Sequence, residues 1–495
     1  MIKQYLKNKV RPSLAYAILF ALLLCCILPY NSVVSASGTK KYLSLGDSVA
    51  SGYGLKNTAN DSYPNLLTKD LSRRGTNYEL VDFSSDTLDS SGLLRQLSDM
   101  SNKELMSALQ SASVITVSIG LNNFINPFND LSSSMSANAK NPDGSYKIPD
   151  NIDPNNITVD SITSYLSEMF KPGVKEYDEM IKMLDKSCEQ FKSDFAKISG
   201  LLSKYTNAQV VFLTLYNPYK DFAVIKPLYD MAELYIGKIN NIIKEQIKSN
   251  VSYIFADNYK AFNKSNKRLV NASFLTFNMD PQPNAAGHKL IYRTIANSLG
   301  YSVYFDDMSS ESWASGYVDD LHELNIIFGT DTQKREFSPQ AELKNQDLAV
   351  LLVRTLKLKI ADSDVSDVTL PFSDANKIES YALNSVKACY KAGLYSQLYP
   401  VQSGKTYIFG PQSSAKRIDV ALMVVQLIDK SKWSAKKPIY SDLNGVDAAY
   451  FPALSTLYDY GIMVGYPDKT LTPFAGLTRT QVAKILWVIL DNPEL

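Results

Sequence analysis

The sequence predicts two architectures in series: a parallel α/β domain over residues 41–300, then helical repeats over residues 301–495. Three observations carry the prediction. Short apolar runs alternate with helical patterns through the first part, as in a parallel sheet with helices on both faces. One plan of helix, Gly/aromatic turn and second helix recurs three times in the second part, the mark of a repeat architecture. The pattern changes from the first to the second near Tyr301.

The apolar runs are Tyr42–Leu45, Tyr78–Phe83, Val114–Ile119, Val210–Leu215 and Tyr253–Ala256. Each is short, as a strand of such a sheet is, and Tyr42–Leu45, which ends in Gly-Asp-Ser, reads as a buried one. Helical periodicity falls near Pro64–Arg73, Leu93–Ser111, Gly173–Lys204, Lys226–Ser249 and Ala285–Leu299. Residues 126–161, rich in Asn, Ser, Asp and Pro, lack periodicity and read as a long loop insertion, with a surface loop preferred to a lid.

Residues 1–36 read as a secretory signal peptide. Lys3, Lys7, Lys9 and Arg11 precede the apolar run Leu14 to Leu28, and Val34-Ser-Ala36 supplies a cleavage site. No transmembrane segment is expected after cleavage. Cys25 and Cys26 leave with the signal, and Cys188 and Cys389 read as buried apolar residues rather than a disulfide. The net charge of +1 gives no global bias toward nucleic acid. No metal cluster, phosphate-cradling loop or nucleic-acid motif stands out, and no cofactor is implied.

The repeats span 301–360, 368–430 and 437–495. They open at Phe305-Asp-Asp307, Phe372-Ser-Asp374 and Tyr440-Ser-Asp442. A helix follows in each, at Trp313–Leu324, Tyr381–Ala392 and Tyr450–Tyr460. A Phe-Ser-Pro339, Phe-Gly-Pro411 or Thr-Pro-Phe474 element comes next, and a second helix closes the unit. This plan resembles the S-layer homology repeat, most closely in the third copy. The resemblance implies a three-repeat bundle that binds anionic cell-wall polysaccharide and places the chain at the cell surface. The family's Thr-Arg-Ala-Glu motif falls on residues 344–347, 416–419 and 478–481. An Arg at a helix start adds a planar donor fork to free backbone N–H groups, which suits a carboxylate. Lys416, Arg417 and Arg479 are therefore the expected wall-polysaccharide residues, with Asn345 replacing Arg in the first repeat.

The chemistry is concentrated at Leu45-Gly-Asp-Ser48. A serine at the carboxyl end of a parallel strand sits where open α/β sheets place their ligands. This block, with Gly120-Leu-Asn-Asn123 and Asp280-Pro-Gln-Pro-Asn-Ala-Ala-Gly-His288, resembles the SGNH/GDSL hydrolases, esterases and lipases of flavodoxin-like fold. The resemblance implies Ser48 as nucleophile, with its N–H and the Asn122 amide in the oxyanion hole. The second block lacks the usual Gly, so Ser85 or Asp86 is left to supply the second backbone donor.

The last block departs from the family. Gln282 stands where the catalytic His is expected, and glutamine cannot act as a general base. Besides His322 in the first repeat, the chain has only His288. Two readings stay open: His288 takes over as base, oriented by Asp280 or Asp257, or it merely starts the last helix. The expected function is a secreted, wall-anchored hydrolase of acyl or acetyl esters. The alternative is a degenerate binding or structural protein on the same scaffold.

Overall fold

The computed structural model describes residues 38–492, except 139–159, positions 161, 162, 165, 166, 169 and 170, and residues 277, 332, 401, 403 and 404. The segment read as a signal peptide lies outside the described residues.

All five expected strands form: β1 Lys40–Gly46, β2 Tyr78–Ser84, β3 Ala112–Ser118, β4 Gln209–Leu213 and β5 Tyr253–Ala256. They make one parallel sheet in the order β2-β1-β3-β4-β5. This is the flavodoxin-like doubly wound order, whose switch point lies between β1 and β3. Tyr63–Arg73 packs against Ala285–Ser298, while Lys175–Tyr205 packs against Ser90–Ser98, Leu121–Asn138 and Lys226–Ile247. The two groups cover the sheet with a continuous apolar core, in which Phe191, Phe195, Phe212 and Tyr253 stack edge to face or face to face.

Two local expectations change. The helix expected over Leu93–Ser111 is two helices, Ser90–Ser98 and Lys103–Ser111, the second capped by Asn102 Oδ1 accepting from Leu105 N at 3.0 Å. Residues 126–138, expected to open a loop, instead continue the helix Leu121–Asn138 through Pro127. A proline there leaves the carbonyl four residues back without its donor. Ser187 Oγ supplies one, donating to Asn123 O at 2.7 Å. Residues 139–159 of that expected loop lie outside the described residues.

The carboxyl-terminal region is a closed ring of three repeats around its own apolar core. Leu343 N donates to Leu477 O at 2.9 Å, Ala415 N to Leu343 O at 2.8 Å, and Leu477 N to Ala415 O at 2.9 Å. Each repeat also contains the same clamp. Asp307 accepts from the N–H groups of Phe337 and Ser338, Asp374 from Phe409 and Gly410, and Asp442 from Leu471 and Thr472, all at 2.7–2.9 Å. The second clamped residue has positive φ in every copy: Ser338 56°, Gly410 61° and Thr472 52°. The Asp thus fixes a left-handed turn just before a proline.

Polar contacts join the two regions. Arg293 pairs with Asp320 and Glu323, Asn297 Nδ2 donates to buried Asp319, and Lys260 and Lys264 reach Asp491.

Candidate active site

Ser48 follows β1 at the switch point, and the local fold explains the tripeptide. Gly46 has φ 136°, and a Cβ there would lie 1.8 Å from Ser118 O, so no other residue fits. Asp47 ties the ends of β1 and β3 together. Its carboxylate accepts from Val49 N at 3.2 Å, Ser118 Oγ at 3.1 Å and Leu121 N at 3.1 Å. Burial pushes this carboxyl up to about 7. Ser48 N–H, at the start of a short helical turn, has no acceptor among the described residues.

The loop after β2 lies alongside. Ser85 N donates to Gly46 O at 3.0 Å and so is committed, whereas Asp86 N–H has no acceptor among the described residues. Ser51 Oγ donates to Asp86 Oδ1 and draws this loop against the Ser48 turn. Asn122 lies at the site but differs from its expected posture. Its Nδ2 donates to Asp86 O at 2.9 Å and Leu88 O at 2.8 Å, so both amide hydrogens hold the loop instead of facing an oxyanion. Asn123 brackets the next helix, with Oδ1 accepting from Ser90 N and Nδ2 donating to Ser90 Oγ. An Asn meets both needs because its side chain has a donor and an acceptor.

Gln282 is the side chain that meets Ser48. Its Nε2 donates to Ser48 Oγ at 2.9 Å, and both residues are buried. Its Oε1 is buried without a partner. Turning the amide over presents an acceptor instead of a donor, but neither end can take up a proton near neutral pH. Asp280 lies two residues earlier. It accepts from Gln282 N at 3.0 Å and Asn271 Nδ2 at 2.9 Å, and so shapes the loop.

His288 does not reach Ser48 Oγ as a hydrogen-bond partner. It is fully buried near the start of the helix Ala285–Ser298. Its Nδ1 accepts from Tyr63 N at 3.3 Å, its ring stacks on Tyr63, and its Nε2 has no partner. The reading of His288 as base is corrected: this His is a core residue that receives the first N–H of another helix. The orienting role is corrected with it. Asp280 bonds the Gln282 loop, and Asp257 pairs with Lys244 at 3.1 Å. The helix is fixed close to the site loop, since a Cβ on Gly287 would lie 2.1 Å from Leu269 O.

Burial holds His288 down at about 4, from an ordinary 6.5. The unfolded chain therefore binds the proton first. This contribution to stability is fully present above about pH 6.5 and is lost as pH falls toward 4. The full loss corresponds to about 3 kcal/mol. Denaturant melts of wild type and His288→Gln should diverge by that amount between pH 7 and pH 4, with wild type losing more. Parallel curves would mean that the ring is not buried neutral.

The expected wall residues are also placed differently. The second-helix starts give their first N–H groups to a neighbouring repeat: Asn345 N to Ser413 O, Arg417 N to Ala475 O and Arg479 N to Ala341 O. Arg479 donates from Nε to Phe337 O at 2.8 Å and from Nη2 to Phe328 O at 2.6 Å. Arg417 is buried, donates to Tyr466 OH and Gln481 Oε1, and leaves Nε without a partner. Lys416 is exposed. The helix starts thus spend their first N–H groups on joints between repeats, which corrects the expectation that free backbone N–H groups stand beside Arg417 and Arg479.

Two segments, 304–347 and 439–483, match the S-layer homology domain. The carboxyl-terminal region thus contains S-layer homology sequence in these two segments. The intervening repeat shares its clamp and its place in the ring. An endoglucanase of Bacillus sp. (strain KSM-635) is 27% identical over 191 residues, covering 38% of this chain and 18% of that protein. Solved structures similar to this chain include the lipase Lip_vut3 from a goat rumen metagenome, at 17% identity and TM-score 0.33, covering 52% of this chain and 97% of that one. TesA is similar at 13% identity and TM-score 0.31, covering 52% and 98%. The acetyl xylan esterase AlAXEase is similar at 14% identity and TM-score 0.30, covering 52% and 97%. The fold of the amino-terminal domain follows from its own strand order. Among the described residues, no helix is long and apolar enough to cross a membrane.

Proposed function

We propose that this chain is a cell-surface protein whose S-layer homology repeats hold an ester-hydrolase-type domain to anionic wall polysaccharide. In this reading the domain keeps the ester-holding half of its site and lacks the base. The observation that carries it is the 2.9 Å contact from Gln282 Nε2 to Ser48 Oγ.

An ester carbonyl set against Ser48 would meet two unoccupied backbone donors, Ser48 N–H and Asp86 N–H, with Asn122 holding the Asp86 loop in place. Such donors stabilise the charge that develops on the carbonyl oxygen. Attack by Ser48 Oγ also requires its proton to leave, and Gln282 gives that proton no destination. The domain therefore binds acyl or acetyl esters and turns them over slowly at most.

The intact donors favour a second reading, an ester hydrolase for substrates that need little activation of the nucleophile. Donors and binding alone leave roughly 10³–10⁴-fold catalysis over water when triad members are removed. Hydrolysis of p-nitrophenyl esters by the mature chain beside Ser48→Ala separates the readings. Turnover indistinguishable from the variant supports the first, and large Ser48-dependent turnover the second.

A further inference from the structure

The Ser48 site is bordered by two carboxylates. Asp86 is exposed and accepts from Ser51 Oγ, and the same hydroxyl lies 3.1 Å from Ser48 O, so this carboxylate sits on the Ser48 turn. Asp280 is half-buried and accepts from Gln282 N at 3.0 Å and Asn271 Nδ2 at 2.9 Å, on the loop that brings Gln282 to Ser48. A Cβ on Gly54 would lie 3.9 Å from Asp280 Oδ2 and 3.8 Å from Gln282 Cβ, so the chain leaving the Ser48 turn passes close to this carboxylate. Among the described residues, neither Asp has a Lys or Arg partner. Arg268 donates to the carbonyls of Val270 and Asn271 instead. The third group is Gln282 itself. It is 5% exposed, its Nε2 ends at Ser48 Oγ, and its Oε1 is buried without a partner. A buried acceptor that no protein donor satisfies calls for one from outside.

We infer that the ester this site holds is an α-aminoacyl ester, its ammonium received by the Asp86 and Asp280 carboxylates and the Gln282 amide oxygen. The inference rests on the ester-holding reading above and names its substrate class. With the carbonyl oxygen on the Ser48 and Asp86 N–H groups, the α-nitrogen is only two bonds from the carbonyl carbon and stays beside the same residues. Carboxylates next to a hole for developing negative charge work against it, and a positive charge on the substrate offsets them. A neutral acyl group would leave both carboxylates without a counter-charge and Oε1 without a donor. An anionic acyl group would be repelled by both. A primary ammonium brings three donors to the three acceptors.

The test is the affinity of the full chain for alanine benzyl ester, benzyl lactate and benzyl isobutyrate, read by ligand-detected NMR at low salt and about pH 6, where the amine is protonated. These ligands share one skeleton and carry ammonium, hydroxyl and methyl at the α-carbon. Alanine benzyl ester should bind about tenfold more tightly than benzyl lactate, the scale of a partly screened charge contact. Raising the pH past about 8 discharges the amine and should remove the difference, an arm that needs no variant. The affinity ratio should fall in Asp86→Asn and in Asp280→Asn and reach about one in the double variant, compared where thermal melts match wild type. Equal binding of the alanine and lactate esters by the native chain, or a ratio untouched in the double variant, would overturn the inference and leave the ester-holding reading intact. A native chain that binds none of the three would overturn that reading itself.

Discussion

Replacing Gln282 with His should raise Ser48-dependent ester hydrolysis well above that of the native chain. The amide already lies 2.9 Å from Ser48 Oγ, so an imidazole there has a short path to the serine proton. Gly46 and Asp47 fix the serine, and Asp280 bonds the backbone of residue 282 and holds the loop. A positioned general base contributes about 10²–10⁴-fold. We expect a gain of that size in kcat/KM for Gln282→His on p-nitrophenyl acetate. The gained activity should rise with pH as the imidazole loses its proton, near 6.5 for an unperturbed ring. It should vanish in the double variant Gln282→His, Ser48→Ala. A Gln282→His chain that folds and shows no Ser48-dependent gain would mean that the missing base is not what limits this site.

Removing an Asp clamp should be the most damaging single change in the repeat ring. Asp442 accepts the N–H groups of Leu471 and Thr472 and holds Thr472 at φ 52°. Hydrogen bonds to a charged group contribute roughly 1.5–3 kcal/mol each. Asp442 is only partly buried, so solvent replaces some of what is lost, and Asp442→Ala should destabilise by about 3 kcal/mol. The turn leads directly into the segment where Leu477 closes the ring between Ala415 and Leu343, so the damage should reach all three repeats. Thr472→Gly separates clamp from strain. It removes the left-handed cost of a β-branched residue, roughly 1–2 kcal/mol, and should stabilise if the turn keeps its shape. Calorimetry on the full chain reads both. An Asp442→Ala melt equal to wild type would mean that the clamp contributes nothing.

The sequence made the fold legible where the pattern is local. Each strand is a short apolar run between turn residues, and all five formed. The Gly-Asp-Ser turn was readable because Gly46 answers a contact on the same motif. Legibility ended where a distant contact decides. Pro127 reads as a helix breaker, and only Ser187, sixty residues on, supplies the donor that lets the helix continue. Asn122 was found at the site, but its commitment to the Asp86 loop depends on how β2 and β3 lie side by side. His288 reads as the spare base until packing puts it against Tyr63. Arg417 and Arg479 read as exposed donors because their acceptors belong to other repeats. Gln282 itself was visible as the departure in its motif, and the structure adds that it touches the serine.

The deciding measurement is p-nitrophenyl acetate hydrolysis by the native chain beside Ser48→Ala at pH 7. The two rates should agree within about tenfold, because a serine without a base gains little over its absence. A native rate a thousandfold above Ser48→Ala would contradict it, and would require a base for Ser48 other than Gln282.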